Sequence, residues 1–173
     1  MKKGLLMVNT GAGKGKTTAA LGTAFRALGH GQRVCVIQFI KGSWTYGEKT
    51  AAERFEDLLE FHVMGRGFTW KSDDFEKDIA MARNAWSLAR EKIASRAYRL
   101  VILDELTYLI AYKMLEEGEV VSFLVNRPEE VHILVTGRNA SDGLIRAADM
   151  VTEMAAVKHH RAAGIQAQKG IEF

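Results

Sequence analysis

The chain has 173 residues, 47% hydrophobic and 26% charged with a net charge of +3, which is enough length and apolar mass for one packed core. The weak positive balance and the lack of a dense basic run argue against a nucleic-acid binder, and the lone Cys35 excludes an intrachain disulfide. No apolar run reaches the roughly 18 residues that span a membrane and no signal peptide precedes the first apolar segment, so a cytoplasmic protein is expected, with residues 1–173 forming one domain.

Leu5 to Val8 reads as a short apolar strand. It runs into Gly11-Ala12-Gly13-Lys14-Gly15-Lys16-Thr17-Thr18. Glycines bring backbone N–H groups close to an anion, and the helix N-terminus that follows adds unpaired N–H groups and a partial positive charge. A lysine there reaches outer phosphates and a threonine hydroxyl can hold Mg²⁺. The segment is therefore a P-loop, a cradle for a nucleoside triphosphate. It departs from the usual G-x-x-x-x-G-K-[ST]: the first glycine should stand at Thr10, and the loop is one residue shorter, with an extra lysine, Lys14.

Lys16 to Leu28 has helical composition and stops at Gly29-His30-Gly31. Arg33 to Phe39 is a β-branched apolar run. Strand, helix and strand in this order form a βαβ unit and imply a parallel sheet. Ile40 to Glu48 begins where the strand ends, the edge at which open α/β sheets bind ligands. Trp44 and Tyr46 in it are either loop packing or ligand contacts. Glu48 to Glu60 reads as helix and Phe61 to Met64 as a third strand. Phe68 and Trp70 in GRGFTW are either tucked into the core or presented to a flat apolar partner.

Asp73 to Ser95 carries a capping pair, Asp73 and Glu76, and an apolar stripe of Phe75, Ile79, Ala82, Trp86, Ala89 and Ile93, the pattern of an amphipathic helix. Arg99 to Asp104 is a buried-type strand ending in Asp104-Glu105. The aspartate either caps the next helix or acts as a Walker B carboxylate, and the P-loop favours the second. Leu106 to Leu115 and Glu119 to Asn126 read as helices and Val131 to Thr136 as a strand delivering Arg138 to the same edge. Ser141 to Ala148 reads as helix and Met150 to Met154 as a last strand. The tail from Val157 onward, with Lys158, His159, His160, Arg161 and Lys169, reads as a mobile basic terminus. The sum is an α/β protein, a P-loop NTPase (RecA-like) three-layer fold with a mostly parallel sheet of about six strands.

A P-loop, a carboxylate pair and an arginine at one edge commonly serve hydrolysis or phosphoryl transfer. No [NT]-K-x-D, no LSGGQ-type signature and no arginine-rich lid is present. A RecA-like ATPase coupling hydrolysis to a partner is one reading. The other comes from a near full-length resemblance. TGAGKGKTTAALGTAFRALGHG, VIQFIKGSWTYGE, GFTW, VILDELTYLIAY, VTGRNA and VKHHRAAGIQAQKGIEF, in that order, resemble the ATP:corrinoid adenosyltransferases of the P-loop cobalamin-biosynthesis type.

The resemblance implies transfer of the 5′-deoxyadenosyl group of ATP to Co(I) of cob(I)alamin or another corrinoid, with release of tripolyphosphate, in adenosylcobalamin synthesis or salvage. It implies that Lys16 and the backbone of Gly11 to Thr18 bind the triphosphate, that Thr17 and Glu105 hold Mg²⁺ with Asp104 in support, and that Arg138 stabilises developing phosphate charge. Phe68 and Trp70 would pack against the corrin and favour loss of its lower axial ligand. A flavoprotein or other reductase would supply the electron, and the enzyme would be a homodimer. No D-x-H-x-x-G motif is present, which agrees with a corrinoid bound transiently as substrate. Many members carry an extension before the first strand that helps cover the site; here that strand starts about four residues from Met1.

Overall fold

The computed structural model describes residues 3–42, 47–65 and 75–172. Within them the apolar runs pair into one sheet. Its strands are β1 (Leu6–Thr10), β2 (Val34–Gln38), β3 (Leu59–Val63), β4 (Leu100–Asp104), β5 (His132–Thr136) and β6 (Met150–Glu153). The spatial order is β3-β2-β4-β5-β1-β6, and every ladder among these strands is parallel. The helices are α1 (Lys16–Gly29), α2 (Gly47–Ala52), α3 (Phe75–Ala94), α4 (Leu106–Ala111), α5 (Glu117–Val125) and α6 (Asp142–Ala147). This is the α/β architecture expected from the strand–helix alternation.

Side chains alternate across a strand, so β1, β2, β4 and β5 each feed two cores, while β6 at the edge is exposed. Leu6, Val8, Ile37, Val101, Leu103 and Ile133 join one buried cluster with side chains of α3, α4, α5 and α6, including Trp86, Leu109, Leu124 and Leu144. The residues between them, Met7, Val36, Ile102 and Leu134, join a second cluster with Ala20, Ala24 and Leu28 of α1. The continuous apolar strands are thus explained: helices cover both faces, giving three layers.

Three expectations are corrected. The helix read over 48–60 ends at Ala52, passes through a 3₁₀ turn at Glu53–Phe55, and gives way to β3 from Leu59. Pairing of Leu59 to Val63 with β2 overrides local propensity. The helix read over 106–115 ends at Ala111. There Lys113 takes a left-handed φ of 56°, and the Met114 and Leu115 N–H groups both donate to Leu109 O, turning the chain inward to bury two apolar side chains. Phe75 leaves the apolar stripe of α3: it is exposed, because the stripe meets the core only from Ala82 onward, with Ile79 at its margin. Asp73 of the capping pair lies outside the described residues.

At the opposite edge of the sheet, Arg127 donates to the carbonyls of Gly4, Leu124 and Val131 and to Asp149, whose carboxylate also accepts the Leu6 N–H at 2.8 Å. Beside them the Leu5 N–H donates to His132 Nδ1 at 3.0 Å. That bond needs an unprotonated Nδ1. Burial, with Arg99 and Arg127 nearby, holds the His132 pKa below its ordinary 6.5. A depressed value means that this stability is fully present above the unfolded value and is lost as pH falls through the folded one. In denaturant titrations, His132→Asn, whose amide oxygen can accept the same N–H, should gain on the wild type as pH drops from 7.5 to 5.5. A constant gap would show that His132 does not titrate against folding.

Candidate active site

The alternation that builds the two cores also builds the site. Asn9, Gln38, Asp104 and Thr136 share parity with Met7, Val36, Ile102 and Leu134, so they lie on the face covered by α1, the last three closing their strands and Asn9 one residue before the end of β1. Register places Gln38 beside Asp104 and Asn9 beside Thr136. Asp104 is fully buried. Its Oδ1 accepts from Thr17 Oγ1 at 2.8 Å and from Thr136 Oγ1 at 2.6 Å, and its Oδ2 accepts from Gln38 Nε2 at 2.9 Å. Thr136 Oγ1 in turn accepts the Glu105 N–H at 3.0 Å. The first turn of α1 is therefore tied to the ends of β2, β4 and β5 through one carboxylate.

The glycine loop joins β1 to α1. Gly11 has φ 96°, a value that a residue with a Cβ rarely adopts. Gly13 donates its N–H to Met154 O at 2.6 Å, and a Cβ there would lie 2.7 Å from the carbonyl oxygens of Met154 and Ala155. The loop is thus pressed against the chain that follows β6, which accounts for small residues at both positions. Lys16 is buried, and its Nζ donates to Gly11 O at 2.9 Å and Gly13 O at 2.6 Å. Its pKa is lowered by burial; Glu105 and Asp104 oppose that, and Arg138 adds to it. The ammonium of Lys16 is bonded to neutral carbonyls, a weaker partnership than a phosphate would give.

Glu105 differs from its neighbour. It sits at φ 67°, in the left-handed region costly for a non-glycine residue. Its Oε2 is buried and has no hydrogen-bond partner among the described residues. Burial and the adjacent Asp104 push its pKa up to about 7, against the pull of Lys16, Lys41 and Arg138. An uncommitted carboxylate oxygen beside the Thr17–Asp104 pair fits a hard divalent cation, which takes oxygen ligands. Thr107 Oγ1 donates to Arg138 O at 2.6 Å and anchors the turn that carries this arginine.

Of the site residues predicted from sequence, Gly11 to Thr18, Asp104, Glu105 and Arg138 meet at this edge. Ala12 and Thr18 are exposed and Gly13 is buried. Phe68, Trp70, Trp44 and Tyr46 lie outside the described residues. The structure adds Asn9, Gln38 and Thr136, and Lys41 through its charge on Glu105. The signal for the first three is a polar residue at or next to the end of an apolar strand, on the same face of the sheet as Asp104.

A family model described as ATP:corrinoid adenosyltransferase BtuR/CobO/CobP matches residues 2–173. The chain is 48% identical over 172 residues to a corrinoid adenosyltransferase of Pseudomonas aeruginosa, covering 99% of this chain and 85% of that protein. It is 45% identical over 172 residues to a corrinoid adenosyltransferase of Escherichia coli, covering 99% and 87%. Among solved structures, flagellar accessory protein FlaH from Methanocaldococcus jannaschii superposes with a TM-score of 0.57 at 12% identity, covering 88% of this chain and 72% of that one. A KaiC-like protein from Pyrococcus horikoshii gives 0.53 at 15%, covering 90% and 73%. These two show the fold, a RecA-like P-loop architecture.

Because the Glu105 pKa is raised from 4.5 to about 7, its contribution to stability is present below 4.5 and is lost as pH rises through about 7. In chelator, the thermal midpoint should fall between pH 5 and pH 8. Glu105→Gln should flatten that slope and stabilise the cation-free protein at pH 8 by roughly 1–3 kcal/mol. An unchanged slope would place the titration elsewhere.

Proposed function

The chain belongs to the ATP:corrinoid adenosyltransferase family, and from that premise we propose how this sheet edge transfers the 5′-deoxyadenosyl group of ATP to the cobalt of a corrinoid. The observation that carries the reading is the family match over residues 2–173, which spans the P-loop, the Asp104-Glu105 pair and Arg138 together.

Backbone N–H groups of the loop and of the first turn of α1 hold the triphosphate. In an isolated helix the first N–H groups have no intrahelical acceptor, so they are available to an anion. Lys16 exchanges its two loop carbonyls for phosphate oxygens. Arg138, whose charge already acts on both Lys16 and Glu105, faces the charge that grows on the leaving group. Mg²⁺, held by the Thr17 hydroxyl and the open Glu105 oxygen, supplies charge neutralisation of the triphosphate when bound. Asp104 has three hydrogen bonds already, so its part is to orient Thr17.

The reaction is displacement at carbon. The electron pair of Co(I) forms the Co–C5′ bond. The C5′–O bond breaks and its pair leaves with tripolyphosphate. No proton is transferred, so the site needs no general base, and Glu105 serves charge and position. The short loop supports a pose in which C5′ and not the terminal phosphorus is exposed. Phe68 and Trp70 are assigned to the corrin face, where they disfavour the lower axial ligand. A flavoprotein or other reductase supplies the electron, the enzyme is a cytoplasmic homodimer, and residues 1–173 act as one domain.

With ATP, Mg²⁺ and chemically reduced cobalamin, purified protein should yield tripolyphosphate and a light-sensitive alkylcobalamin. ADP and phosphate as sole products would replace this reading with the ATPase one. Lys16→Ala should lower kcat/KM about 10²- to 10³-fold. Trp70→Ala should slow reaction from Co(II) much more than from pre-formed Co(I); equal losses in the two assays would reduce Trp70 to packing.

A further inference from the structure

The tail does not stay away from the site. Lys14, the extra lysine of the glycine loop, makes an ion pair with Glu172. The same carboxylate lies 3.5 Å from His160 Nε2. Glu172 has a side chain only 12% exposed, whereas that of Lys14 is 47% exposed. His160 opens a 3₁₀ turn, His160–Ala163, and stacks on His159 with ring centroids 4.7 Å apart. His159 Nδ1 accepts the Arg161 N–H at 3.2 Å. The Glu172 carboxylate thus bridges Lys14 of the glycine loop and His160 of the tail.

Taking that loop as the triphosphate cradle, we propose that Glu172 is an internal competitor for it: its carboxylate occupies Lys14 and His160 and is displaced by the terminal phosphate of the incoming nucleotide. A carboxylate offers two oxygens to these cations and one negative charge. A triphosphate offers more acceptor oxygens and more charge, and the two anions repel at contact distance. Lys14 has the exposure and the flexible stem to turn from one to the other. While Glu172 holds Lys14 the loop is partly self-neutralised, and affinity for the nucleotide is reduced by the fraction of molecules in that state. The tail would be released as ATP binds and would return as tripolyphosphate leaves, which assists release of a highly charged product.

The test is calorimetric titration of the full chain with inorganic tripolyphosphate, without corrinoid, in wild type, Glu172→Gln, Lys14→Met and the double variant. Glu172→Gln should bind about two- to fivefold tighter, the range of a partly exposed ion pair. It should lower KM for ATP by a similar factor and strengthen product inhibition by tripolyphosphate. Lys14→Met should bind more weakly, and on that background Glu172→Gln should have no effect, the coupling expected of a contacting pair. Unchanged or weaker binding by Glu172→Gln sinks the competitor while leaving the cradle intact. Failure of the wild type to bind tripolyphosphate at all sinks both.

Discussion

The structure depends on a single buried carboxylate. Asp104 is fully removed from water, which an ionised group tolerates only when its oxygens are engaged. Thr17 and Thr136 engage one oxygen and Gln38 the other. Those three bonds join the ends of three strands to the first turn of α1, and the orientation of α1 fixes where the glycine loop opens. The two apolar cores below set the strand spacing; Asp104 converts that spacing into a position for Lys16 and Thr17.

Its sequence neighbour works by the opposite principle. Glu105 is left-handed, raised in pKa and has an oxygen with no partner among the described residues. Lys16 is buried on carbonyls alone. The edge therefore holds one anion that is fully satisfied and, beside it, charges of both signs that are collected but under-satisfied. Charges held in this way are preorganised: an anion or cation that meets them gains electrostatic stabilisation without rearrangement of the sheet. Its cost is borne by the cores, which over-determine the backbone around residue 105.

Chemistry written in local residues was legible from the sequence. Gly11 to Gly15 forms a loop because glycines stand between a strand and the Lys16-Thr17-Thr18 start of a helix, and Asp104 closes a run of apolar residues. Gln38, Thr136 and Asn9 were not recognised, because a polar residue at a strand end acquires meaning only through parallel register, which joins segments far apart. Their common parity with Asp104 was the available clue. The Lys14–Glu172 pair is likewise invisible locally, and the tail that carries it read as a loose basic end. Phe75 fitted the helical stripe by spacing, but periodicity does not tell where the core stops.

The parallel order has a temporal side. Of the described strands β1 leaves the ribosome first, yet among them it pairs with β5 and β6 alone. Leu5 and the His132 that accepts its N–H are 127 residues apart. At synthesis rates of about 5–20 residues per second, that gap lasts roughly 6–25 s. During it the strand LMVNT has no ladder, and the glycine loop lacks the carbonyl of Met154 against which it rests. The contact of the glycine loop with Met154 therefore forms only after β6 has been made. Until β5 has been made, the apolar side chains of LMVNT have no neighbouring strand from this sheet, and non-local pairing of this kind forms slowly and leaves apolar surface open meanwhile.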